Sequence, residues 1–135
     1  MIKVAMTGVY VDDVARAHAF YTDVLGFETQ TRLDLGDGTL FVTVGAPDRA
    51  QPDLQLLLEP GDSPIAEPYR RALYEAGIPC IVFSVDDIQA EYKRLVGLGV
   101  RFTHEPQEQG PVIAAVLDDT VGNLIQLAQP KPHHG

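Results

Sequence analysis

The sequence predicts an α+β protein made of two tandem βαβββ units that form a curved mixed-sheet cup. Three observations lead to it. The segment Val11-Asp12-Asp13-Val14 opens a helical pattern ending in Leu25-Gly26-Phe27, and Val85-Asp86-Asp87-Ile88 opens another ending in Leu98-Gly99-Val100. Equivalent points lie 74 residues apart in a chain of 135, so the protein reads as two copies of one small unit. Around each copy the apolar period passes from two to three or four and back to two, the signature of strand, helix and strand. A sheet of about four strands with its helix on one face must also bury apolar residues on the other, and curling against a second sheet does so.

The elements follow in order. Thr7, Val9 and Val11 alternate with Met6, Gly8 and Tyr10, a strand over residues 6–11. Asp12 or Asp13 then offers a carboxylate to the free amides of a helix with the stripe Val14, Ala17, Tyr21, Val24 and Leu25, and Gly26 supplies a left-handed stop. Residues 27–35, 39–44 and 54–58 read as three successive strands, antiparallel at least in part, the first two joined by the turn Gly36-Asp37-Gly38. The first unit therefore covers residues 1–59.

Residues 60–79 form a connector punctuated by Pro60, Gly61, Pro64, Pro68, Gly77 and Pro79, with a short helix around 69–75. The second unit, residues 80–129, repeats the plan. It has a strand over 80–85, a helix over 87–98 with the stripe Ile88, Tyr92, Leu95 and Leu98, and strands near 100–104, 112–117 and 124–128. Asp118-Asp119-Thr120-Val121-Gly122-Asn123 makes the last turn, its Asp and Asn side chains bonding turn amides. Residues 130–135 lack periodicity and read as a tail, in which His133 and His134 are assigned no role.

Composition narrows the function. Apolar residues make up 45% and charged residues 21%, an ordinary globular balance. Ten Lys and Arg against nineteen Asp and Glu give a net charge of −9, which argues against nucleic acid and anionic membrane as partners. No apolar stretch approaches the roughly 20 residues that span a bilayer. The one cysteine, Cys80, cannot form an internal disulfide, and Met1-Ile2-Lys3 leads into a strand pattern without the apolar core of a signal peptide, so the cytoplasm is the expected compartment. Gly36-Asp37-Gly38 joins two strands instead of opening a helix, which removes phosphate-loop and dinucleotide readings. No Ser/His/Asp order or paired-carboxylate spacing supports a hydrolase.

The chain resembles the vicinal oxygen chelate superfamily, the glyoxalase/bleomycin resistance/dioxygenase fold. The resemblance is carried by Val11-Asp12-Asp13 with Ala19-Phe20-Tyr21-Thr22-Asp23-Val24-Leu25-Gly26-Phe27, by Phe83-Ser84-Val85-Asp86-Asp87-Ile88, and by Asp118-Asp119-Thr120-Val121-Gly122-Asn123-Leu124-Ile125-Gln126-Leu127. In that family's metal enzymes, four side chains project into the cup, one from the first and one from the last strand of each unit, usually His, Glu or Gln. The matching positions here are Met6, Cys80, Gln126 and, in the first unit's last strand, Gln55. Strand parity turns Gln55, Leu57 and Glu59 toward the cup if Leu54, Leu56 and Leu58 face the helix; a one-residue slip would substitute Leu56.

Thioether, thiol and two amides are a poor donor set for a hard or borderline divalent ion, so no cofactor is expected and the family's metal chemistry is disfavoured. Cys80 has no neighbouring cation in sequence to make a thiolate and reads as a packing residue. His18 corresponds to Tyr92 of the second helix, which makes it a core-edge histidine, whereas His104 shares the parity of Val100 and Phe102 at a strand end and reads as an exposed loop histidine. The expected function is the binding of a small organic molecule in the cup between the units, for sequestration or metal-free chemistry. Its lining would be Met6, Tyr10, Gln55, Leu57, Glu59, Cys80, Val82, Ser84 and Gln126, with Leu124 on the apolar wall. The alternatives are a metal-dependent lyase, isomerase or dioxygenase with differently placed ligands, and a scaffold dimer with a vestigial cavity. The resemblance also implies a homodimer.

Overall fold

The computed structural model describes residues 1–131. The chain divides into two compact units, Met1–Arg70 and Arg71–Gly135, with the boundary inside the predicted connector. Each unit contains one four-stranded mixed sheet with a helix packed on it.

In the first unit, β1 (Met6–Val11) is followed by α1 (Val14–Ala19), β2 (Glu28–Asp34), β3 (Leu40–Gly45) and β4 (Gln55–Pro60). The sheet order is β1-β4-β3-β2, with β1 parallel to β4 and the other pairs antiparallel. Asp13, not Asp12, is the N-cap: its Oδ1 accepts from the Arg16 amide at 3.0 Å. The predicted helix is not α throughout, because Phe20–Val24 widens into a π-turn before Gly26 reverses the chain at φ +91°. Ala17 and Tyr21 are fully buried, as are Val11, Val42, Val44 and Leu58. α1 rests on β3 and β4, so these residues form the first unit's core.

After α2 (Ala66–Glu75), which is longer than the predicted 69–75, the second unit runs β5 (Ile81–Ser84), α3 (Ile88–Gly97), β6 (Phe102–Gln109), β7 (Val112–Asp118) and β8 (Leu124–Pro130). The order β5-β8-β7-β6 repeats that of the first unit, again with one parallel pair, β5 with β8. Asp87 caps α3 through the Ala90 amide at 3.1 Å, and Gly99 ends it at φ +89°, matching Asp13 and Gly26. Ile88, Leu95, Leu117 and Ile125 are its buried core, but Leu98 is exposed because the helix stops one residue before it.

β6 departs most from expectation. It runs to Gln109 through Pro106, where a strand near 100–104 is predicted. Proline is tolerated because β6 is an edge strand and its pairing with β7 is irregular on both sides of His104. β8 closes on Pro130, so of the predicted tail only residues 132–135, with His133 and His134, lie outside the described residues. No helix among the described residues is long and apolar enough to cross a membrane.

Candidate functional site

The sheet faces turned away from α1 and α3 carry the polar side chains that could meet a ligand, and each unit builds its face in the same way. In the first unit, Met6 pairs with Gln55, Gly8 with Leu57 and Tyr10 with Glu59 across the β1–β4 ladder. Residues in register share a face, and the alternate residues Val9, Val11, Leu56 and Leu58 are buried in the core. Leu56 therefore points to α1 and Gln55 to the opposite face, which resolves the two registers left open by the sequence. β3 adds Phe41 and Thr43 to this face, and β2 adds Thr31 and Leu33. Met6, Tyr10 and Leu33 are exposed on it, at 42%, 39% and 51%.

Thr43 is a feature that sequence reasoning missed. It is fully buried, and its hydroxyl donates to Gln55 Oε1 at 2.8 Å. The bond orients the Gln55 amide and uses one of the two acceptor sites of its oxygen, leaving the NH₂ as a donor. No one-chain pattern distinguishes Thr43 from other strand threonines; only its position beside Gln55 in the folded ladder gives it this role.

In the second unit, Val82 pairs with Gln126 and Ser84 with Ala128, while Ile125 and Leu127 are buried toward α3. Cys80 stands just before β5, its backbone amide donating to the Leu124 carbonyl at 3.0 Å. The ladder extends the row: Gln126 lies opposite Val116, and Val116 opposite His104. The irregularity between Phe102 and His104 thus shifts the histidine to the face of Gln126, overturning the shared parity with Phe102. Phe102 stays opposite Leu117, with its ring centroid 4.7 Å from that of Tyr92. His18 sits at the corresponding place in the first unit, within 2.7 Å of the Thr29 hydroxyl, and is half-buried between helix and strand.

The thiol of Cys80 is pushed up to about 12, first by desolvation and then by the Asp119 carboxylate, although the side chain retains solvent exposure. Both causes favour the thiol over the thiolate at neutral pH. Asp119 is itself committed. Buried in the turn before β8, its Oδ1 accepts from the amides of Val121 and Asn123, both at 2.9 Å, and its Oδ2 from Asn123 Nδ2 at 3.0 Å. Asp118 is likewise engaged: Tyr74 donates to it at 2.5 Å and Arg101 at 3.1 Å, and that bond is the first cause holding the tyrosine above its ordinary range.

Among the described residues, no three His, Cys, Asp or Glu side chains come together at a spacing that would hold a metal ion. Met6 and Gln55 in the first unit offer a thioether and an amide, and Cys80 and Gln126 in the second a thiol and an amide, a poor set of donors for a hard divalent ion in either unit.

Residues 3–127 match the model of the Glyoxalase/Bleomycin resistance protein/Dioxygenase superfamily. The chain belongs to that superfamily. It is 42% identical over 128 residues to the uncharacterized protein YurT of Bacillus subtilis (strain 168), covering 95% of this chain and 99% of that one. Its fold is similar to that of UcmS2, with a TM-score of 0.80, 28% identity, and coverage of 95% of this chain and 98% of the other. It is also similar to TnmS3, an antibiotic binding protein from Streptomyces sp. CB03234, with a TM-score of 0.73, 23% identity, and coverage of 97% and 98%. The superfamily's two-unit architecture, with one mixed sheet and one packed helix in each unit, is the one described above.

Proposed function

We propose that this protein binds a small organic molecule on the sheet faces opposite α1 and α3, by shape and mostly neutral polar contacts, without a divalent metal at the superfamily's ligand positions. The observation that carries this reading is the chemistry of those positions. Met6, Gln55, Cys80 and Gln126 present a thioether, two amides and a protonated thiol, one amide already bonded to Thr43. In the first unit Met6 and Tyr10 are exposed and Leu57 is half-buried on the same face as Gln55, and in the second Val82 is exposed beside Gln126, so each face mixes apolar surface with few polar groups, as small-molecule sites do. A similar fold occurs in TnmS3, an antibiotic binding protein, which agrees with small-molecule binding. The reading extends to a homodimer, because each four-stranded sheet has two edge strands whose backbone groups a second copy can satisfy.

A thermal-shift screen of antibiotics and metabolites, run with and without EDTA, tests the function. Hits whose shift is unchanged by chelator are expected; hits that vanish with chelator, or a broad panel without a hit, contradict it. Gln55→Leu and Gln126→Leu should each weaken a hit by about three- to tenfold, the worth of one neutral hydrogen bond.

A further inference from the structure

The face of the first unit contains one charged side chain that its neighbours leave unanswered. Glu59 is half-buried at the end of β4, in register with Tyr10. Its carboxylate folds back over Gly8 and fills the space where a Cβ at that position would stand. Gly8 lies in a regular strand, opposite Leu57, and has no positive φ to require glycine. The missing side chain instead makes room for the carboxylate on the sheet surface. Among the described residues, Glu59 has no hydrogen-bond donor and no cation as a partner. The other carboxylates discussed above differ in this respect: Asp13 and Asp87 cap helices, Asp118 binds Tyr74 and Arg101, and Asp119 holds a turn.

A half-buried carboxylate without a protein partner can be answered by a ligand that brings the complementary charge. The surroundings select what kind of ligand. Tyr10 offers an aromatic face, with Met6, Leu57 and Leu33 on the same side of the sheet, and the Gln55 amide stands one register pair beyond Leu57. The chain's net charge of −9 favours approach of a cation over an anion.

We propose that Glu59, seated over Gly8, is the anchor for a protonated amine on the guest, so that the ligand class is an organic cation with an apolar or aromatic body. This rests on the small-molecule reading above. The amine donates to the Glu59 carboxylate while the body lies along Tyr10, Met6 and Leu57. A charge-assisted bond of this kind is stronger than a neutral one, and an amine should outbind its uncharged isostere by roughly tenfold.

The test uses three matched probes, 1-naphthylmethylamine, 1-naphthalenemethanol and 1-naphthaleneacetate, titrated into the full chain by calorimetry at neutral pH. The amine should bind about tenfold tighter than the alcohol, and the acetate weakest. Glu59→Gln should abolish the difference between amine and alcohol. Gly8→Ala, which displaces the carboxylate without removing it, should reduce the preference; circular dichroism confirms that both variants are folded. Equal binding of amine and alcohol, or a preference that survives Glu59→Gln, overturns the amine anchor and leaves the small-molecule reading standing. No binding by any of the three also overturns the amine anchor, while the broad panel above decides the small-molecule reading.

Discussion

Asp119 shows how one buried carboxylate is made tolerable, since three donors from Val121 and Asn123 surround it. Removing it strands those donors in the turn before β8. Asp119→Ala should lower stability by about 3 kcal/mol in urea unfolding, and Asp119→Asn by less, because the amide keeps an acceptor. Cys80 is the complementary case of a group kept neutral. Its thiol is raised from the ordinary 9.0 to about 12, so the folded state holds its proton more tightly than the unfolded state. The associated stability is complete below pH 9 and is lost as pH rises toward 12. Alkylation by iodoacetamide at pH 9–10 should accordingly be much slower in the native protein than in urea; equal rates would show an ordinary thiol.

At the scale of elements, the two helices begin and end with the same devices, Asp13 and Gly26 in one and Asp87 and Gly99 in the other. Asp13→Ala and Asp87→Ala should each cost ~1 kcal/mol, and the double variant their sum, since the caps lie in separate units without shared partners. These devices were legible in the sequence because capping and left-handed stops act within a few residues. The π-turn Phe20–Val24 was not, since widening a helical turn leaves the three-and-four spacing of Ala17, Tyr21 and Val24 intact. β6 was misjudged for a related reason. Pro106 argues against a strand unless the strand is at an edge, and edge position is a property of the sheet order rather than of the segment. The same irregular pairing carried His104 to the face of Gln126, which simple alternation could not foresee.

For the whole molecule, the duplication was the decisive signal, because a repeat of 74 residues fixes two copies of one topology and the order β1-β4-β3-β2 recurs as β5-β8-β7-β6. Parity then placed Gln55, Leu57 and Glu59 on one face, and the family resemblance placed Met6 there. What it could not supply were the partners that arise only when strands meet: Thr43 beside Gln55, and the space over Gly8 taken by Glu59. Thr43 bears on the central claim, that Met6, Gln55, Cys80 and Gln126 are poor ligands for a metal ion. The most direct measurement is the metal content of protein purified without chelator and without a His-affinity column, determined by plasma mass spectrometry. Substoichiometric zinc, nickel, iron and manganese, well below about 0.1 per chain, is the predicted result, as expected for a wall of amides, thioether and neutral thiol. One equivalent of any of these metals, lost on Gln55→Ala or Gln126→Ala, would contradict it.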